Sequence, residues 1–64
     1  SVKVGDLVRL REEYKVAGID YGLGIITDIT NYPEEGLISH RVVWANNDYS
    51  FHSKSDLELA SESR

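Results

Sequence analysis

The chain has 64 residues, 41% hydrophobic and 28% charged, which is enough apolar content for one folded domain and too much for a disordered segment. Seven basic residues against eleven acidic ones leave a net charge of −4, which opposes the phosphate attraction behind most nucleic-acid binding. No cysteine is present, so no disulfide supplements a core that at this size buries only roughly 60% of the unfolded chain's surface.

Two histidines without companion thiols do not make a structural zinc site, and no metal or other cofactor is expected. No run of about 18 apolar residues exists, and no positively charged leader precedes a short apolar stretch, so an intracellular setting is expected.

Gly5-Asp6 suits a tight turn, after which Leu7 to Leu10 alternates, with Val8 and Leu10 on one face and Arg9 and Arg11 on the other. Residues 12 to 21 keep no period of two and contain Gly18, so they read as a long loop. A helix over Glu12 to Ala17 is the short alternative, ended by Gly18.

Gly22 to Ile29 is two glycines followed by a β-branched run, the pattern of a central strand. Its glycines fit a bulge or close backbone packing better than a phosphate cradle, because they precede a strand and not a helix. Ile26 and Ile29 are its expected core positions, across a bulge. Asn31-Tyr32-Pro33-Glu34-Glu35-Gly36 is a reversal.

Leu37 to Ala45 follows as a strand, with Ile38, His40, Val42 and Trp44 on its inward parity. A one-residue bulge would exchange the faces of Val42 and Val43, so that choice stays open. Asn46-Asn47 reads as a two-residue hairpin turn leading into Asp48 to Ser53, with Phe51 expected in the core. Ser53 to Asp56 reads as one helical turn and Leu57 to Leu59 as a closing strand. Residues 61–64 are expected to fray, so one domain accounts for 1–64.

Five short strands with a helical turn before the last resemble a small all-β, five-stranded SH3-like barrel. Val4-Gly5-Asp6-Leu7-Val8 resembles the Val-Gly-Asp-x-Val opening of many small barrels, and Gly24-Ile25-Ile26-Thr27-Asp28-Ile29 is similar to the core of KOW-type domains. Trp44-Ala45-Asn46-Asn47 with Ser55-Asp56-Leu57-Glu58-Leu59 resembles the second half of small SH3-like proteins of phage and marine viral genomes, which adds a virion to the expected settings. The Ala-Leu-Tyr-Asp-Tyr motif and the helical-turn Pro of signalling SH3 domains have no counterpart here, so proline-rich peptide recognition is not implied. Architecture follows from such a resemblance, and function must come from a site.

The candidate binding residues are aromatic: Tyr14 and Tyr21 in the first loop, Tyr32 in the second, and Trp44 at its strand's end. Together they could stack a peptide, a methylated amine or a base; separately they are core or cap residues. Arg9, Arg11 and Arg41 form an anion patch if they converge, and a solvated outer face if they do not. A two-residue turn would set Arg41 opposite His52, which argues against a joint His40–His52 site.

Ser, His and Asp are present in no catalytic motif, so the expected function is a non-enzymatic module. It would make protein or peptide contacts at the first-loop and second-loop surface. The alternatives are a KOW-like or Tudor-like nucleic-acid module using the three arginines, and a homo-oligomer formed through an exposed strand edge. No membrane partner is expected.

Overall fold

A computed structural model describes residues 2–62. Five strands form one antiparallel sheet, so the chain is all-β: β1 Leu7–Leu10, β2 Gly24–Tyr32, β3 Leu37–Trp44, β4 Tyr49–His52 and β5 Leu57–Ser61, in spatial order β4-β3-β2-β1-β5. Single 3-10 turns, Pro33–Glu35 and Lys54–Asp56, precede β3 and β5. The Gly5-Asp6 turn forms as expected, with Asp6 N–H donating to the Lys3 carbonyl and Gly5 at φ 96°.

Where a loop was expected, Glu12–Val16 is a helix, α1. Propensity alone does not sustain five residues; tertiary anchors at its N-cap and its middle do. Arg11 N–H donates to the Asp56 carbonyl, and Tyr14 packs against the core. The helix stops at Gly18, φ 87°, where Gly18 N–H reaches the Lys15 carbonyl and Ile19 N–H the Tyr14 carbonyl, a Schellman termination.

The buried apolar core is Val8, Leu10, Ile26, Val42, Trp44 and Leu57. All but Leu57 come from the inward parity of β1, β2 and β3, which settles the choice at 42 and 43: Val42 faces in. Ile29 departs from expectation. A bulge between Ile26 and Asp28 does return Ile29 to the face of His40, its partner on β3. The β1 ladder, however, covers β2 only at Gly24 and Ile25, so Ile29 runs past the core and is 38% exposed.

Phe51 is also not core. On β4 it is Ser50 and His52 that face inward, opposite Val42 and His40, and this turns Tyr49 and Phe51 outward at 59% and 61% exposure. The expected fraying begins too early, since Ser61 belongs to β5 and pairs with Leu7; positions 63 and 64 lie outside the described residues.

Candidate functional site

A hydrogen-bond chain runs along the inward side of β4. The indole Nε1–H of Trp44 donates to Ser50 Oγ at 2.7 Å. An indole nitrogen only donates, so the Ser50 hydroxyl accepts there, and the same oxygen is hydrogen-bonded to His52 Nε2, 2.7 Å away. The other ring nitrogen of His52, Nδ1, faces Asp56 Oδ2 at 3.4 Å. Tyr14 O–H closes the chain on the other carboxylate oxygen at 2.8 Å. That bond, with partial burial and the negative charge of Asp56 and then of Glu13, raises the Tyr14 pKa above its ordinary 10.0.

The register that builds this chain differs from the two-residue hairpin. Trp44 N–H bonds to the Asp48 carbonyl and Asn47 N–H to the Trp44 carbonyl, with Asn47 at φ 70°. The loop is therefore three residues with a left-handed last position. One extra loop residue sets His40, not Arg41, opposite His52, and His40 Nδ1–H reaches the His52 carbonyl at 3.1 Å.

Ser50, His52 and Asp56 reproduce the order nucleophile, base, carboxylate of acyl-transfer enzymes. Two features count against that use. The Ser50 oxygen already accepts from the indole. Oxyanion stabilisation needs free donors aimed at the reacting carbonyl, yet on the adjoining turn Asn47 N–H is bound to Trp44 and Asp48 N–H to Asn46 Oδ1. The chain of bonds instead fastens β4 to the 3-10 turn and α1, and among the described residues no buried side-chain N or O lacks a partner.

The expected aromatic cluster is only partly assembled. Tyr21 lies on Trp44, ring centroids 5.3 Å apart, beside a hollow of about 270 Å³, but the indole beneath is 2% exposed and so belongs to the core. Tyr14 turns to Asp56, and Tyr32 stands at the far end of β2 opposite Leu37.

The arginines also disperse. Arg9 lies two positions after Leu7 and Arg41 two before Val43. Leu7 and Val43 are joined through Ile25, so the two arginines diverge along parallel strands. Arg9 lies opposite Glu58 in the β1–β5 register, Arg41 is ion-paired with Asp28 at 3.6 Å, and Arg11 Nε–H donates to the Ser55 carbonyl at 2.7 Å.

A feature that sequence reasoning missed is the groove between the second loop and the last 3-10 turn. Beyond Asp28 the β2–β3 hairpin outruns its neighbours, so Leu37 and Ile38 are 43% and 51% exposed. Facing them across a cavity of about 420 Å³ are Arg11, Ser53, Lys54 and Ser55. The available signal was Leu37-Ile38 itself: adjacent apolar residues have opposite parity, so both cannot enter one core.

Among the described residues no group of three or more His, Asp or Glu side chains is placed to hold a metal ion, and no helix is long and apolar enough to cross a membrane. Comparison of the chain with family profiles, with curated proteins and with solved structures found no match.

Proposed function

We propose that the chain is a non-catalytic, SH3-like binding module that takes a segment of a partner protein in the groove between the second loop and the last 3-10 turn. The observation that carries this reading is the groove's make-up. Exposed Leu37 and Ile38 form one wall, and the cations Arg11 and Lys54 lie on the other. An apolar side chain next to a carboxylate matches both walls, while Glu34 and Glu35, on the same loop, are not among the lining residues. The strand order and the 3-10 turn before β5 support the SH3-like reading.

Amide shifts of labelled protein should test it. Titration with short peptides that place Leu or Phe beside Asp or Glu is expected to move Arg11, Gly36, Ile38 and Lys54, and Ile38→Asp to abolish the response. Shifts centred on Arg9 and Arg41 with oligonucleotides, weakening as salt rises, would instead make this a nucleic-acid module.

A further inference from the structure

The outward face of the sheet carries a second surface, separate from the groove. The register sets Leu7, Ile25, Val43 and Tyr49 in one row across four strands. One end of this face is a ridge. Tyr49 and Phe51 meet edge to face with centroids 6.0 Å apart, and the Arg41 guanidinium lies 4.6 Å from the centre of the Tyr49 ring. Arg41 is itself held by Thr27 Oγ1 at 2.9 Å. Beside the ridge, and reaching across to β1, is a hollow of about 310 Å³ lined by Leu7, Leu23, Ile25, Val43, Ala45 and Asn47 among others.

We propose that this face binds a second copy of the same chain. Ridge and hollow are neighbours on one face: the lining of the hollow runs from Leu7 through Ile25 to Val43, and Tyr49 of the ridge is Val43's partner on β4. A two-fold axis in the plane of the face, crossing the line from ridge to hollow midway between them, places each copy's Tyr49–Phe51 ridge in the other's hollow. That is the self-complementarity an isologous dimer requires.

Charge favours the same occupant. This face holds Arg41 ion-paired with Asp28, and Arg9 opposite Glu58 in the β1–β5 register. It therefore selects neither a basic nor an acidic partner, and two chains of net charge −4 meet where their charges are already balanced.

The area also fits. Leu7, Leu23, Ile25, Tyr49 and Phe51 are 38%, 44%, 41%, 59% and 61% exposed. At those exposures they present on the order of 400 Å², the apolar share of the roughly 800 Å² each partner of a standard interface buries. Among the described residues only six apolar side chains are buried, the sequence has no cysteine for a disulfide, and association is a common remedy for so small a core.

Sedimentation equilibrium over a wide concentration range should show a mass rising from one chain to two. Phe51→Glu and Leu7→Glu, on the two outer strands of the row, are each expected to raise the dimer dissociation constant by roughly thirtyfold or more, the loss that follows removal of an apolar anchor. Circular dichroism should remain that of the parent, because neither residue is in the core. In a mixture of labelled and unlabelled chains, intermolecular NOEs are expected between the Phe51 ring and the Leu7 and Leu23 methyls.

A wild-type chain that stays monomeric to millimolar concentration would overturn the proposal. So would a dimer that survives both substitutions, since it would be built elsewhere, for instance on the β4 or β5 edge. Ile38→Asp should leave the dimer intact, so failure of the groove and failure of the dimer are separate results.

Discussion

Gly24 faces Trp44 across the β2–β3 ladder, and a Cβ placed on Gly24 would fall 2.6 Å from the indole Cε3 and 2.5 Å from Val42 Cγ1. The indole rests on bare backbone, so the absence of a side chain at position 24 is what lets the largest core residue lie flat. Gly24→Ala is therefore an overpacking change. Trp44 and Val42 are 2% and 0% exposed and have nowhere to go. The expected loss is about 1–3 kcal/mol, seen as a lower denaturation midpoint with an unchanged slope. An unchanged midpoint would mean that the indole does not sit where the register puts it.

Asn47 tests backbone strain in place of packing. Its φ of 70° closes the three-residue turn, and left-handed backbone costs an ordinary L-residue about 1–2 kcal/mol. Asn47→Ala should lose about 1 kcal/mol, while Asn47→Gly should hold or exceed the parent stability. Thermal midpoints in the order Gly, Asn, Ala would confirm it. A reversed order would show that the Asn side chain, not the backbone, is what the site requires.

The outline of the fold was legible because it rests on local chemistry. The Gly5-Asp6 turn, the parity of Val8 and Leu10, and the close packing at Gly24 are each set by a few neighbouring residues. Phe51 and Ile29 were misplaced because their exposure depends on relations between strands. One extra loop residue at Ala45 to Asn47 and the early end of the β1 ladder decide which residues have cover. The groove and the hydrogen-bond chain were hidden for the same reason. Arg11 and Ser55, or Tyr14 and Asp56, meet only through the sheet order, and no spacing in the sequence records it.

Ser50 is placed to serve the indole. Ser50→Ala removes the acceptor for Trp44 Nε1–H and the hydrogen-bond partner of His52 Nε2, and an unsatisfied buried donor costs about 1–3 kcal/mol. Urea denaturation followed by Trp44 fluorescence should show that loss. A fluorophosphonate probe is expected to leave the mass of the wild-type chain unchanged, since Ser50 Oγ accepts from the indole and the N–H groups of the adjoining turn are bound elsewhere. A covalent adduct at Ser50 would overturn the non-catalytic reading and reopen the Ser50, His52, Asp56 alignment as chemistry.

Tyr14 gives the chain an alkaline limit. Its phenol donates to Asp56, and that bond, followed by desolvation and the nearby negative charge, raises its pKa above 10.0. Between the unfolded and folded values the native state holds a proton that the unfolded chain has released. Stability from this group is therefore complete below about pH 10 and is lost as pH climbs through the folded value. Tyr14→Phe cannot ionise, so its stability should change less across that window while being lower at neutral pH, where the bond to Asp56 is gone. Chemical denaturation of both chains at steps from neutral to strongly alkaline pH measures this directly. Two parallel profiles would show that the Tyr14–Asp56 bond does not link the helix to the last 3-10 turn in solution.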